Sequence, residues 1–380
     1  MAADCTATPD FTLCNVDTTA SDGADRSYDV CMGGSCVSPG CGMFTCNVSG
    51  PSFRLPDTGQ IQCFDDTTEI NCPRNVADCA ATPFCGQDAQ YGADVASPSV
   101  RWNRSEPVAG EPIVTDNVTG LIWQGCVLGR TGSSCEVGTA ALNQWVDIRL
   151  YCDQLAWGGS SNWRFPDHYE LYSLVHLGPS STARFDTTAF PSMDGDVWAN
   201  GMNTQDNLYA WLVSFLAGEI HVAFGNSRMA MCVQTGAVTA SRPTARFDRA
   251  GTSEVVVRDA VTGLQWQGCE VGLSGAACDT GTSTMTTWSD ALATCEALAW
   301  GGSGDWRLPS TFELYSIIDT RAYAPATSSV AFPATSSVLD WTSTTNGAGP
   351  TEAFVVDFAV GGLFPRAKTE PHAVRCVSGS

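Results

Sequence analysis

The spacing of hydrophobic residues changes along this chain between a strand-like period of two and a helix-like period of three to four. The same order of strand-like and helix-like segments occurs twice. β-Branched and polar residues alternate in residues 111–124 and again in 254–267, on both sides of a turn that closes on Gly120 or Gly263. Such alternation around a glycine that can adopt positive φ predicts a β-hairpin in each place.

Two helices are predicted after each hairpin. Apolar positions recur every three or four residues in 288–299, and 145–155 repeat the pattern, so we expect one amphipathic helix per copy ending at Gly158 or Gly301. A second helix should follow the string Trp-Arg-x-Pro, where an N-cap residue precedes a glutamate by three positions. These pairs are Asp167 with Glu170 and Ser310 with Glu313.

The capping pattern decides how the shared polar residues are interpreted. A glutamate present in both copies suggests an acid or base, but the N-cap spacing already accounts for Glu170 and Glu313, so we expect a structural role for both. Arg164 and Arg307 are interpreted as buried partners of carbonyls or carboxylates.

Alternating strands close each copy, in residues 210–224 and 229–233 or in 353–364 and 373–377. Cysteines stand at matching positions in both copies, so we expect one local bridge and one bridge from the first helix to the last strand in each. The expected pairs are Cys126–Cys135, Cys152–Cys232, Cys269–Cys278 and Cys295–Cys376.

These patterns recur in one register, since Trp163 and Trp306 are 143 residues apart (306 − 163) and the matching cysteines of the hairpins and helices keep the same offset. Such a register indicates duplication of a folded unit. We therefore expect two tandem α+β domains, each with two helices and small antiparallel sheets. They are repeat 1, at about 111–240, and repeat 2, at about 250–380.

The first 110 residues follow another plan. Residues 1–50 hold six cysteines and little apolar material, so disulfides must stabilise a small module whose connectivity stays open. Residues 51–110 contain a predicted hairpin that turns at 56–59, and 93–110 are interpreted as a lead-in or linker.

Composition limits the function classes. The formal net charge of −21 disfavours nucleic acid, anionic membranes and sulfated polysaccharides as partners. The 18 cysteines indicate an oxidised protein with up to nine disulfides, whereas zinc binding is disfavoured because the four histidines are scattered. No apolar run is long enough to span a membrane. Residues 1–4 are no signal peptide, and we expect that a signal was removed before this numbering begins.

The amino-acid sequences of the shared motifs resemble those of a known bacterial family. The strings VTGLxWQ, WGG, WRLPSTFELYSIID, WTSTT and VRCV look like the family named for the C-terminal domain of a collagen-like adhesin, over about 111–236 and 254–378. The resemblance implies a C-type-lectin-like fold and a secreted or surface protein that binds a ligand. The sugar-site motifs of true C-type lectins are missing from both repeats, and the acidic charge argues against the sulfated glycans that the resemblance suggests.

If residues shared by both copies are scaffold, ligand contacts should lie where the copies diverge. Candidate ligand residues are Asn200, Asn203, Gln205, Asp206, Asn207 and Tyr209 in repeat 1, and Thr342, Ser343, Thr344, Asn346, Glu352 and Arg366 in repeat 2. The shared tryptophans are expected in the core instead. They are Trp123, Trp163, Trp198, Trp266, Trp306 and Trp341.

One cation site is suggested, because Asp194 and Asp196 flank a glycine with Asp206 nearby, and Ca²⁺ prefers such oxygen ligands. No other cofactor is expected. A catalytic triad or metal centre built on the histidines is disfavoured because the copies do not share them. They are His168, His176, His221 and His372.

The sequence thus predicts a secreted or cell-surface protein without enzymatic activity that binds a glycan or a surface protein, with two sites that increase avidity. Two alternatives stay open. The tandem domains can be subunits of an extracellular fibre or other homo-oligomer. An enzyme is the second alternative, either of the formylglycine-generating type, which shares the lectin-like fold, or of another type.

Overall fold

The computed structural model describes residues 13–14, 29–32, 35–37, 51, 53, 55–73, 79, 81–91, 101–178, 183–203, 205, 209–225, 227–235 and 246–379. They fall into two compact units, Met1–Val48 and Ser49–Ser380. In the first unit, β1 (Leu13–Cys14), β2 (Asp29–Met32) and β3 (Ser35–Val37) form an antiparallel sheet. The cysteine pairing expected within residues 1–50 lies outside what is described.

The hairpin expected to turn at residues 56–59 occurs later in the chain. β4 (Cys63–Phe64) pairs with β5 (Glu69–Ile70), and the short helix α1 (Asp88–Tyr91) follows. The turn forms between the two strands because the Asp65 carboxylate accepts hydrogen bonds from the backbone N–H groups of Thr67 and Thr68. Two disulfides close this segment, Cys63–Cys72 and Cys79–Cys85.

The first sheet of repeat 1 includes a strand that precedes residue 111. Its elements are β6 (Trp102–Val108), β7 (Glu111–Asp116), β8 (Leu121–Gln124), β9 (Arg130–Thr131), β10 (Val137–Gly138), α2 (Trp145–Gln154), α3 (His168–Tyr172), β11 (Asp196–Met202), β12 (Ala210–Ser214), β13 (Glu219–Ala223) and β14 (Val233–Thr235). The antiparallel sheet β14-β8-β7-β6 contains the expected hairpin of β7 and β8. Residues 102–108, expected in a linker, belong to this sheet because they pair with β7, and Arg101 at their start binds the buried carboxylate of Asp116 at 2.8 Å.

Repeat 2 has the same order of elements. They are β15 (Phe247–Ala250), β16 (Val256–Asp259), β17 (Gln265–Gln267), β18 (Leu273–Ser274), β19 (Thr280–Gly281), α4 (Trp288–Glu296), α5 (Thr311–Ser316), β20 (Leu339–Thr345), β21 (Glu352–Asp357), β22 (Gly362–Ala367) and β23 (Val377–Ser378). The sheet β15-β16-β17-β23 corresponds to the first sheet of repeat 1. Arg246 holds Asp259 as Arg101 holds Asp116, at 2.6 Å.

The first helix of each repeat is shorter than predicted. α2 ends at Gln154 and α4 at Glu296, whereas Gly158 and Gly301 lie in the turns that follow, with φ of 59° and 61°. After each of these helices the chain turns, and the tryptophan that follows, Trp157 or Trp300, packs back against the first sheet of its repeat. The indole N–H of Trp300 donates to the carbonyl of Val255 at 2.8 Å, and Trp157 makes the equivalent bond in repeat 1.

Disulfides tie each repeat together at the positions that the spacing predicts. Each repeat has one local bridge of nine residues' separation and one bridge between the first helix and the end of the fold, at separations of 80 and 81. The long bridges stabilise each repeat by about 4 kcal/mol in the chain-entropy model. The pairs are Cys126–Cys135, Cys152–Cys232, Cys269–Cys278 and Cys295–Cys376.

A six-stranded antiparallel sheet joins the two repeats, in the order β11-β12-β13-β22-β21-β20. The repeats meet at its centre, where Ile220 of β13 pairs with Leu363 of β22. These two residues are 143 positions apart and are therefore equivalent in the two copies. Pairing of equivalent residues is the signature of an isologous, two-fold interface, here formed within one chain.

Aromatic side chains extend this interface on one side of the sheet. Tyr172 of α3 packs against Phe312 and Tyr315 of α5, with ring centroids 4.9 and 5.7 Å apart. Tyr172 and Tyr315 are again equivalent residues. His168 lies among them, with Nδ1 2.8 Å from the hydroxyl of Tyr315, and burial lowers the pKa of His168 to about 3. The imidazole is therefore a neutral part of the packing between repeats.

Repeat 2 contains a buried charge cluster where repeat 1 is apolar. Arg375, Glu270 and Asp340 are at most 1% exposed, and the first two lie 3.8 Å apart. Two serines donate to Glu270, but neither carboxylate oxygen of Asp340 has a hydrogen-bond partner among the described residues. The two copies can be aligned on their tryptophans and on Cys232 and Cys376, which bond to the first helix of each repeat. In this alignment Glu270, Asp340 and Arg375 correspond to Val127, Val197 and Met231 of repeat 1.

Candidate ligand-binding surface

The polar residues shared by the two repeats form structural contacts. In both repeats the N-cap side chain accepts from the backbone of the glutamate, and the glutamate carboxylate accepts from the backbone of the N-cap residue. Arg164 binds the two oxygens of Glu170 at 2.7 and 2.6 Å, and Arg307 binds Glu313 in the same way. Burial raises the pKa of Glu313, but the Arg307 guanidinium and the hydrogen bonds with Ser310 outweigh burial, so the pKa is lowered. The expected structural roles are confirmed.

The shared tryptophans are core residues, as predicted. All six are at most 4% exposed. The indole N–H of Trp341 donates to the carbonyl of Thr286, and that of Trp198 donates to the carbonyl of Asn143. They are therefore not available for stacking on a sugar.

Three of the ligand residues expected in repeat 2 are buried in β20. Thr342, Ser343 and Thr344 are at most 1% exposed. The hydroxyl of Thr342 donates to the carbonyl of Phe354, and that of Thr344 donates to Asp88. The divergence that suggested ligand binding here reflects contact with another segment of the same chain, so we do not retain these three residues as ligand contacts.

The other residues expected in repeat 2 are largely used at the boundary with repeat 1. Asn346 donates to Glu352 at 2.9 Å and accepts from Arg184 of repeat 1 at 3.1 Å. Arg366 is exposed, and its guanidinium lies 4.3 Å from the centroid of the Phe364 ring. Arg366 is therefore the one exposed residue among the six ligand residues expected in repeat 2.

Residues 55–73 and 81–91 cover this end of repeat 2. The carboxamide of Gln60 pairs with Thr345 of the edge strand β20, donating to its carbonyl at 2.8 Å and accepting from its N–H at 3.0 Å. The ammonium of Lys368 donates to the carbonyl of Asp65 and lies 3.9 Å from the centroid of the Trp288 ring. Burial lowers the pKa of Lys368 to about 7.

In repeat 1 the corresponding end of the sheet exposes side chains. Tyr209 is 38% exposed and Gln205 is exposed, whereas Asn200 is half-buried and Asn203 is buried. Asn203 shapes the loop, because its backbone N–H donates to the carbonyl of Tyr209 and its side chain accepts from the N–H of Gln205. The other two expected residues, Asp206 and Asn207, lie outside the described residues.

The structure adds one residue to this surface. Phe224, which follows β13, is 60% exposed, and its ring centroid lies 5.9 Å from that of Tyr209 at an interplanar angle of 56°. The equivalent positions in repeat 2 are Glu352 and Ala367. Comparing the ends of the closing hairpins in the two copies would have identified Phe224, because an aromatic residue stands opposite an alanine there. We call Tyr209 and Phe224 the aromatic pair.

The suggested calcium site is described only in part. Asp194 is exposed, and Asp196 is bound by Arg228 at 3.1 Å. Asp206 lies outside the described residues. Within the described ranges, no group of three His, Cys, Asp or Glu side chains is placed to hold a metal ion. Calcium binding at these residues stays a prediction.

The other histidines are dispersed. His176 lies against Gly59, His221 is 4.0 Å from Glu219, and His372 packs on Trp341 with centroids 4.7 Å apart. Burial lowers the pKa of each. None of these contacts joins two histidines.

Comparison with known proteins agrees with the duplicated architecture. The model of a family described as the Lcl C-terminal domain matches residues 112–234 and 255–378, well over half of the chain. No match was found among curated proteins. Among the described residues, no helix has the length and apolar character needed to cross a membrane. The chain belongs to the Lcl C-terminal domain family, and it carries two copies of that domain in tandem.

Proposed function

We propose that this protein is a secreted or cell-surface adhesion protein that binds a glycan or a protein through the aromatic pair of repeat 1. The observation that carries the proposal is the exposure of Tyr209 and Phe224, two adjacent large rings at the end of the sheet. Exposed aromatic residues grouped in this way provide large apolar contact areas at little cost in conformational entropy, and they dominate many binding surfaces.

The proposal assigns binding to repeat 1 alone. The equivalent end of repeat 2 is occupied by Gln60 and by neighbouring residues of the same chain. Two equal sites with additive avidity, as the sequence suggested, are therefore not part of the proposal. Repeat 2 acts as a support that fixes the position of repeat 1 through the shared sheet.

The chemical class of the ligand follows from charge. The net charge of −21 favours a neutral glycan or an uncharged or basic protein surface over an anionic polymer. The six disulfides of the second unit support a location in an oxidising compartment or outside the cell. We further propose that each repeat is a variant of the C-type-lectin-like fold, supported by two helices and a disulfide from the first helix to the last strand.

Removing the aromatic pair tests the proposal. We expect Tyr209→Ala and Phe224→Ala each to lower the affinity for the ligand at least tenfold, about 1.4 kcal/mol, because each ring loses its contact area. A glycan array with and without calcium, followed by titration of the best ligand, provides the measurement. Tyr323→Ala is the matched control, since Tyr323 is a 45% exposed tyrosine of repeat 2. Equal affinities for all three variants and the unaltered protein would contradict the proposal.

Assembly separates this proposal from a structural role in a fibre. Gln60 caps the edge strand β20 and so blocks its pairing with another chain, which is one route to filaments. We expect purified protein to elute from size exclusion as a monomer or small closed oligomer. Spontaneous filaments would favour the structural role instead.

A further inference from the structure

Residues 55–73 and 81–91 contact both repeats, and we call these residues the clamp. On the side of repeat 1, the backbone N–H of Leu177 donates to the carbonyl of Thr58 at 2.7 Å, and Gly178 lies directly against Gly59. On the side of repeat 2, Gln60 pairs with Thr345. The clamp therefore fastens the two repeats to each other in addition to their shared sheet.

A single carboxylate lies at the centre of the clamp. Asp88 is 5% exposed, and its Oδ2 accepts from the hydroxyl of Thr58 at 2.8 Å and from the hydroxyl of Thr344 at 2.6 Å. One oxygen atom of Asp88 thus binds both Thr58, near the start of the clamp, and Thr344 of strand β20. Detaching the clamp from repeat 2 must break the bond to Thr344.

The charges around Asp88 do not favour its ionised form. Asp57 and Glu313 are negative neighbours, and Tyr172 is a further titratable neighbour. The nearby cation, Arg307, is engaged by both oxygens of Glu313. No ion pair to Asp88 is formed within the described ranges. Burial, with a smaller effect of these negative neighbours, raises the pKa of Asp88 to about 7.

We propose that the clamp is a proton-linked fastening between the repeats, which holds most tightly when the Asp88 carboxyl is protonated. In a detached clamp Asp88 titrates near its ordinary pKa of 3.8, well below its value when docked. Docking is thus strongest below about pH 4 and weakens as the pH rises to about 7, above which Asp88 has no further effect.

Release of the clamp would have a consequence for binding. Thr344, Thr345 and Lys368, which contact the clamp, would lose that cover. They form the end of repeat 2 that corresponds to the proposed binding end of repeat 1. The clamp thereby controls whether this end of repeat 2 is covered or accessible, a property that does not depend on the identity of the ligand of repeat 1.

Two other titratable groups at the clamp define the pH range for a test. Lys368 has a lowered pKa, so its effect strengthens docking as the pH rises and acts above about pH 7. Glu296, which accepts from Tyr91, has a pKa raised mainly by burial and acts in the same direction as Asp88. Measurements between pH 4.5 and 7 avoid the titration of Lys368. An Asp88 variant separates the effect of Asp88 from that of Glu296.

Hydrogen exchange of the intact protein tests the proposal. The amides of Leu177 and Thr345 report on docking, and the amide of Val377, bonded to Arg307 in repeat 2, reports on the fold. After correction for intrinsic exchange, we expect the opening of the first two to increase by up to about tenfold per pH unit over this range. Asp88→Asn, which cannot ionise, should remove most of the increase. The proposal is overturned if Asp88→Asn keeps the full increase.

A pair of threonine variants provides a second test if Asp88→Asn does not fold. Thr344→Val removes a donor that stabilises the ionised carboxylate and so raises the docked pKa of Asp88, and the increase in opening should therefore continue to a higher pH before it levels off. Thr342→Val is the matched control, because Thr342 lies in the same strand as Thr344 but its hydroxyl donates to the carbonyl of Phe354 in β21. Identical pH profiles for the two variants would show that Asp88 does not govern the clamp.

Discussion

Replacing Arg375 by methionine is expected to lower the free energy of unfolding by about 3 to 5 kcal/mol, because it leaves two buried carboxyl groups without their cation. Arg375 is fully buried, 3.8 Å from Glu270, and it donates to the carbonyl of Gln267 and the hydroxyl of Thr335. Denaturation with guanidinium chloride, followed by tryptophan fluorescence, measures the loss.

Repeat 1 provides the matched control for this substitution. The combined variant Glu270→Val, Asp340→Val and Arg375→Met gives repeat 2 the apolar residues that stand at equivalent positions in repeat 1. Well-packed apolar residues often replace a buried ion cluster at no cost or with a gain of about 1 to 4 kcal/mol. The triple variant should therefore be at least as stable as the unaltered protein. Equal losses in the single and triple variants would show that the volume of the side chain, and not its charge, determines the result.

Asp340 makes the stability of this cluster depend on pH. Burial raises the pKa of Asp340 well above its usual range, and its oxygens have no hydrogen-bond partner among the described residues. A raised pKa in the folded state means that stability is lost as the pH rises above the unfolded value of 3.8. Asp340→Val should thus stabilise the protein more at pH 8 than at pH 4.

Introducing aspartate at the junction of the two repeats is the second change with a large expected effect. Ile220 is fully buried where β13 meets β22. Ile220→Asp removes apolar packing and buries an unpaired carboxylate, so we expect a loss of about 4 kcal/mol or more. The repeats should then unfold in two separate transitions, which calorimetry would resolve.

The duplication supplies both a replicate and a control for this experiment. Leu363 is the equivalent residue in repeat 2, so Leu363→Asp should have a similar effect. Val222→Asp should cost much less, because Val222 lies in the same strand but is half-buried. A single cooperative transition in both junction variants would mean that the aromatic contacts and the clamp suffice to couple the repeats.

Local sequence patterns determined much of the architecture. The turn that closes on Gly120 or Gly263, the capping glutamates Glu170 and Glu313 and the paired cysteine spacings each depend on residues close in sequence or on comparison of the two copies. These features were predicted correctly because hydrophobic period, capping and disulfide spacing act over a few residues. Boundaries were less accurate where a tertiary contact fixed them, as Trp300 does when it turns back to Val255.

Tertiary structure alone decided which copy carries an exposed surface. Thr344 diverges from its counterpart Gly201, as ligand residues do, but it diverges where Asp88 of the same chain contacts it. Gln60 and Thr345 are 285 residues apart, and no local period relates such positions. The sequence therefore determined the repeated unit, whereas long-range packing determined that one end of the shared sheet is covered by the chain and the other exposes Tyr209 and Phe224.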